Sequence, residues 1–226
     1  MNLKCIKKII KLCLPYGLVV LIQRTKQRFP GTAAFWEDRY ASGGSSGSGS
    51  YYHLAKFKAD VLNNFVQTNG IKTVMEFGCG DGNQLSLINY PQYIGFDISA
   101  TVIDMCKKRF ENDATKEFYL IGDYSGQTAQ LVLSLDVIYH LIEDALYFAY
   151  MDRLFNASTN YVIIYANNED RKATFHVRPR KFTKYIEKNQ NDWKLIDHIP
   201  NKYPYDKTRQ KETSWSEFYI YKKGNT

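Results

Sequence analysis

The run Val74-Met75-Glu76-Phe77-Gly78-Cys79-Gly80-Asp81-Gly82, followed by Tyr93-Ile94-Gly95-Phe96-Asp97, constrains the fold of this chain more than any other part of it. It reads as a buried strand, a glycine loop opening a helix, and a second buried strand closing on a carboxylate. A dinucleotide loop spaces its glycines G-x-G-x-x-G, which brings backbone N–H groups and a helix N-terminus onto a pyrophosphate. Here the glycines stand at 78, 80 and 82, and Asn83 takes the place of that pattern's third glycine. No Lys-Ser or Lys-Thr pair follows, which excludes a P-loop. The loop therefore suits a ligand that has an adenosine but no phosphates. Asp97 lies 21 residues beyond Glu76, placed to accept hydrogen bonds from both hydroxyls of a ribose.

The rest of the chain alternates. Leu54, Phe57, Val61, Leu62, Phe65 and Val66 form one apolar helix face, with Gly70 as a stop. Strand 73–78 leads to a helix near 82–89, strand 93–98 to a helix near 100–110, and strand 117–122 through a polar turn to strand 131–135. A helix near 143–155, strand 161–166 and a helix near 180–189 precede two terminal strands, 193–199 and 217–222. Such alternation predicts an α/β fold: a mostly parallel seven-stranded sheet, helices on both faces, and an antiparallel hairpin at its end.

On the glycine loop, Asp97 and this element order, the chain resembles the class I S-adenosylmethionine (SAM) dependent methyltransferases, whose fold is Rossmann-like. The likeness covers roughly residues 35–222. It implies SAM as cofactor and cofactor contacts from Glu76, Phe77, Gly78, Cys79, Gly80, Asp97 and Ile98. Glu76 and the loop would hold the methionine end, and Asp97 the ribose. Cys79 is read as a small residue tolerated where backbone meets ligand. The segment Trp36-Glu37-Asp38-Arg39-Tyr40 resembles the family's W-x-x-R-Y lid, which brings Tyr40 to the methionine end. The Gly/Ser stretch 41–50 that follows has the composition of a linker, yet aromatic residues bracket it closely, so a closing lid is expected.

Two further segments resemble family motifs. Asp123 and Tyr124 stand where the family contacts adenine. The stretch from Ser134 through Asp136 to His140 stands where it lines the reaction centre, with Ser134 beside the cofactor. His140 is the candidate general base, because its intrinsic pKa lets it accept a proton at neutral pH. Asp136 is the alternative, as base or as the group that orients His140. Farther on, alternation puts His176, Arg178 and Arg180 on one side of an extended segment, a fork-like array suited to an anionic acceptor.

Charge is unevenly spread. Residues 1–30 hold seven Lys/Arg and no acid, 31–170 hold nine bases and seventeen acids, and 171–226 hold fourteen bases and six acids. The core is thus acidic, and with no RNA-binding motif a nucleic-acid partner is not expected. Two regions are expected: a basic amphipathic arm at 1–34 and a methyltransferase domain at 35–226. The apolar stretch 12–22 is too short to span a bilayer. Two readings of residues 1–28 stay open: a helix lying on the anionic inner face of a membrane, or a helix packed on the domain or on a twin subunit. The four cysteines form no CxxC pair, which points to a reducing compartment, the cytoplasm, and to no metal site. The expected activity is O-methylation of an acidic small molecule, sugar or glycan precursor for surface polysaccharide or glycolipid. That acceptor class comes from a likeness to uncharacterised bacterial methyltransferases that accompany sugar-polymer biosynthesis. A small-molecule N-methyltransferase and a non-catalytic SAM-fold module are the alternatives.

Overall fold

Alternation along the central strands sends side chains into two separate cores, one on each face of a single sheet. The structure, a computed structural model, describes residues 29–224. The expectations for the arm at 1–28 fall outside the described residues. The sheet comprises β1 (Thr73–Phe77), β2 (Gln92–Asp97), β3 (Lys116–Leu120), β4 (Ala129–Leu135), β5 (Ser158–Ala166), β6 (Trp193–Ile199) and β7 (Glu217–Lys223). Their order is β3-β2-β1-β4-β5-β7-β6. The first five strands are parallel, and β7 runs antiparallel to both β5 and β6. This is the seven-stranded sheet with a terminal hairpin that the sequence predicts.

Five α-helices accompany the sheet among the described residues: α1 (Thr32–Ala41), α2 (Tyr52–Thr68), α3 (Ala100–Arg109), α4 (Asp144–Asn156) and α5 (Phe182–Asn189). Met75, Phe77, Val132, Val162 and Ile164 point to the face covered by Tyr150, Met151, Leu154 and Phe155 of α4 and by Phe182 and Ile186 of α5. Val74, Leu131, Leu133 and Ile163 point to the opposite face, covered by Ala59, Leu62 and Val66 of α2 and by Ile103 and Cys106 of α3. Glu76 shares the parity of Val74, so its carboxyl lies on the α2 side. None of the described helices is long and apolar enough to cross a membrane.

One element departs from expectation. Residues 82–89 form no α-helix, only a 3₁₀ turn, Leu85–Leu87. Leu85 and Ile88 are buried at helical spacing, which mimics a helix in the sequence. The backbone forbids one: Gly82 sits at φ +73° at one end, Ile88 is extended at φ −126°, and Pro91 stands just before β2. The glycine loop therefore opens into a turn and has no long helix behind it.

The chain moves outward from β1 to β2 and β3, then returns to β4 on the other side of β1. Where strand order reverses in this way, a crevice opens at the carboxyl ends of the strands. After β1 the backbone turns sharply at Gly78 (φ +87°), and the N–H groups of Gly78 and Cys79 both donate to Phe96 O, at 2.7 and 3.1 Å. A Cβ on Gly78 would overlap Val137 Cγ2 in the turn after β4. Gly78→Ala thus meets two separate obstacles, a left-handed backbone and a steric clash. It should cost about 1–3 kcal/mol for the backbone alone, with a further overpacking cost. Urea denaturation of Gly78→Ala, Val137→Ala and the double variant checks this: Val137→Ala should relieve only the clash, so part of the loss persists in the double variant.

Candidate active site

A cavity of about 270 Å3 lies at the carboxyl ends of β1, β2 and β4. Of the positions singled out in the sequence, Tyr40, Glu76, Phe77, Gly78, Cys79, Gly80, Asp97, Ile98, Asp136 and His140 line it. Three other positions expected at the cofactor lie outside its lining. Asp123 is exposed, and the turn after β3 instead presents Ile121 and Gly122. Tyr124 packs edge-on against Phe77 and Phe96, at 5.4 and 5.5 Å between ring centroids, and serves the core. Ser134 is fully buried and shares a 2.8 Å hydrogen bond with the Tyr150 hydroxyl.

Two buried carboxyls define the polar end. Asp97, closing β2, accepts from Gly80 N–H at 3.0 Å and from Ser99 N–H at 3.1 Å. Burial raises its pKa, and those N–H donors oppose the shift. The carboxylate, which the Ile98 N–H also faces, keeps acceptor capacity for a ribose hydroxyl. Burial also pushes the Glu76 carboxyl up to about 7, opposed by the Tyr93 hydroxyl that donates to it at 2.7 Å and by the Lys58 charge. This pair of acceptors, with the side chains of Val137 and Ser46 crowding Gly78 and Gly80 on the protein side, fits a nucleoside carrying an amino-acid end.

The aromatic segment and the Gly/Ser stretch form an ordered wall of this cavity. Thr32, opening α1, donates to Glu143 from its N–H (3.0 Å) and from its hydroxyl (2.6 Å). Glu37 accepts from the Ser99 and Thr101 hydroxyls at the start of α3. Ser46 N–H donates to Asp81 Oδ2 while Asp81 N–H donates to Ser46 Oγ, both at 2.9 Å, and the Tyr51 hydroxyl also reaches Asp81 at 2.8 Å. A Cβ on Gly80 would overlap Ser46 Oγ, so glycine is needed there for the wall to close on the loop. Trp36, Tyr40, Ser46 and Ser50 line the cavity from this segment.

The turn after β4 brings His140 and Asp136 to the cavity. His140 ends a short 3₁₀ turn, Ile138–His140, and its ring lies edge-on to Trp36 (4.8 Å) and parallel to His176 (5.6 Å). Its Nδ1 is 2.9 Å from His176 O. A carbonyl only accepts, so Nδ1 carries the proton and Nε2 keeps its lone pair. Burial lowers the His140 pKa to about 4, so the ring is neutral at physiological pH. Asp136 does not orient it. The Asp136 carboxylate accepts from Lys58 Nζ (2.9 Å), the Tyr139 hydroxyl (2.9 Å) and Ser216 Oγ (2.7 Å), which leaves it poorly placed to act as a base.

A second cavity, about 490 Å3, adjoins the first and shares Trp36, Ser46, Asp136 and His140 with it. His176 lines it, but Arg178 and Arg180 do not line either cavity, contrary to the expectation that they hold an acceptor. Their guanidiniums clamp the turn behind His140. Arg178 donates to Ile142 O (2.9 Å), and Arg180 to Leu141 O (2.7 Å) and Ile142 O (3.1 Å); both also bond Asp144. These carbonyls end a 3₁₀ turn and have no helical partner, so they draw in the nearest donors. Cations on the second cavity come instead from Arg39, Arg171 and Lys172.

Lys58 was not foreseen. It is fully buried in α2 and lines the first cavity. Its signal was present: it stands four residues after Leu54 and four before Leu62, inside the apolar stripe, where a lysine has no reason to be unless paired.

A model of the methyltransferase domain family matches residues 51–202. No protein of established function matches the sequence significantly. Several solved structures share the fold. The N-methyltransferase NodS from Bradyrhizobium japonicum WM9, solved with S-adenosyl-L-homocysteine, has 11% identity and a TM-score of 0.59 over 76% of this chain and 88% of its own. The magnesium protoporphyrin IX methyltransferase ChlM from Synechocystis PCC 6803, solved with bound SAM, has 14% identity and a TM-score of 0.57 over 74% and 78%. The O-MT segment of StiE has 19% identity and a TM-score of 0.52 over 76% and 74%.

The clamp on the 141–144 turn generates a test that needs no ligand. In the intact protein, NMR titration should place the His140 midpoint at about 4. Arg178→Ala combined with Arg180→Ala loosens the turn and admits water, so the midpoint should climb towards the ordinary value near ~6.5. An unchanged midpoint would show that the arginines do not position this ring.

Proposed function

The chain belongs to the methyltransferase domain family, and we propose that it is a SAM-dependent enzyme that O-methylates a hydroxyl-bearing anion held in the second cavity. SAM supplies an electrophilic methyl group when bound. The residues that would hold it are Asp97 at the ribose, Glu76 and the 78–80 loop at the methionine end, and Ile98, Ile121 and Gly122 at the adenine side. The observation that carries the reading is His140: a neutral ring, with Nε2 unprotonated, on the wall common to both cavities. In that place Nε2 takes the proton of an acceptor hydroxyl while the acceptor oxygen is held towards the first cavity.

Arg39, Arg171 and Lys172 favour an anionic acceptor. A sugar or glycan precursor for surface polysaccharide or glycolipid is the acceptor we favour, supported by the likeness of the W-x-x-R-Y and H-V-R-x-R segments to bacterial methyltransferases that accompany sugar-polymer synthesis. The basic arm, on its charge alone, is proposed to bring the enzyme to acidic lipid. A second reading follows from the same ring. A histidine with its pKa at about 4 is a weak base, which suits a neutral amine acceptor that needs no proton removed before transfer. The fold neighbours do not choose between the two acceptor atoms.

Methyl transfer from labelled SAM to a panel of uronic acids, hydroxy acids, phosphosugars and amines separates the readings. With a hydroxyl acceptor, His140→Ala should lower kcat by about 10²–10⁴. Transfer only to amines, with His140→Ala near wild type, would sink the O-methyl proposal. The cofactor end has its own pH signature. Glu76, at about 7 in the free protein, must be ionised to attract an ammonium group. S-adenosylhomocysteine affinity should therefore level off well above pH 7 and weaken below it, by up to ~tenfold per pH unit. In Glu76→Gln that slope should vanish in calorimetric titrations. A wild-type affinity flat from pH 5 to 8 would contradict it.

A further inference from the structure

Two polar groups in the first cavity lack the partners their burial demands. Gln84 is nearly inaccessible, and its amide nitrogen donates to Ala55 O at 3.0 Å, which orients Oε1. That Oε1 has no hydrogen-bond partner, one of only two such buried side-chain atoms among the described residues. Lys58 is fully buried, and its ammonium has one acceptor, Asp136 Oδ2 at 2.9 Å, besides the face of Tyr165 at 5.1 Å. An ammonium has three donors. Both residues line the first cavity and neither lines the second. They are neighbours through α2, because the carbonyl that holds Gln84 belongs to Ala55, about one helical turn before Lys58.

An orphan acceptor beside an ammonium with spare donors is the complement of a zwitterionic α-amino acid. We propose that Lys58 takes the carboxylate and that Gln84 Oε1 shares with Glu76 the ammonium of the cofactor's amino-acid end, so that Lys58 and Gln84 help select ligands that carry it. The inference rests on the SAM reading above and adds two residues that the glycine-loop motif does not contain. Charge supports the assignment. Glu76, Asp81, Asp97 and Asp136 line the cavity and would repel a carboxylate. The lining has two full cations, Lys58 and Arg153, and Arg153 lies over the Tyr124 ring, which packs on the α4 face of the sheet. Lys58 is the cation on the α2 side, the side of Glu76. A leucine or methionine would fill the α2 stripe better if packing were its only task.

The test compares two ligands on the full chain by calorimetry: S-adenosylhomocysteine, which has the amino-acid end, and 5′-methylthioadenosine, which lacks it. The wild type should prefer the first. Lys58→Met should weaken S-adenosylhomocysteine roughly ten- to a hundredfold and leave methylthioadenosine unchanged, the size expected for hydrogen bonds to a charged group. Gln84→Leu, which strands no charge, should weaken S-adenosylhomocysteine about tenfold with methylthioadenosine again unchanged. It carries the test if Lys58→Met fails to fold. Equal loss of both ligands, or no loss of either, overturns the proposal. A wild type that binds methylthioadenosine as tightly as S-adenosylhomocysteine overturns it while the SAM reading stands. A wild type that binds neither ligand overturns both.

Discussion

The ion pair between Lys58 and Asp136 joins two parts of the chain that must stay in register for a site to exist. Lys58 comes from the inner stripe of α2, and Asp136 is the first residue after β4, held at φ +60°. A left-handed aspartate costs about 1–3 kcal/mol, and three donors on its carboxylate offset that cost. Removing one partner of such a pair typically costs about 3–5 kcal/mol, because the other stays buried and uncompensated. The turn that follows carries Tyr139 and His140. Through Ser216 the same carboxylate reaches the start of β7. The wall between the two cavities therefore depends on this ion pair at one end and on the Arg178 and Arg180 clamp at the other.

Burial then sets the chemistry on each side of that wall. At the first cavity it raises the Glu76 and Asp97 carboxyls, so each gains from a ligand that brings positive charge or hydroxyl donors. At the wall itself it lowers His140, which stays neutral, while the His176 carbonyl dictates which nitrogen has the lone pair. The aromatic rings of Trp36 and His176 flank the imidazole. One physical cause thus produces buried carboxyls that gain from a cationic or hydroxyl-bearing ligand and a neutral imidazole whose Nε2 is unprotonated.

The fold was legible because its signals are local. Alternating apolar residues in 73–77, 92–97 and 129–135 point to two faces, and glycines at 78 and 80 mark a turn that side chains would block. The helix read at 82–89 failed because Leu85 and Ile88 share helical spacing while the backbone at Gly82 and Pro91 leaves room only for one 3₁₀ turn. The candidate site was legible where a motif fixes the backbone, as at Glu76, Gly80 and Asp97, and less so where partners come from afar. Arg178 and Arg180 do share a side, as alternation requires, yet what they meet is the 141–144 turn, more than thirty residues earlier in the chain. Lys58 passed unnoticed because a lysine reads as solvent-facing until the acid that pairs with it, 78 residues on, is brought alongside.

A crystal structure of the full chain with S-adenosylhomocysteine tests the central claim, that two cavities meet at His140, most directly. The account predicts the ribose against Asp97 and the sulfur directed towards the wall shared by Trp36, Asp136 and His140, with the second cavity left free for an acceptor. A sulfur shut off from His140, or a ligand seated between Arg39 and Arg171 in the second cavity, would contradict it.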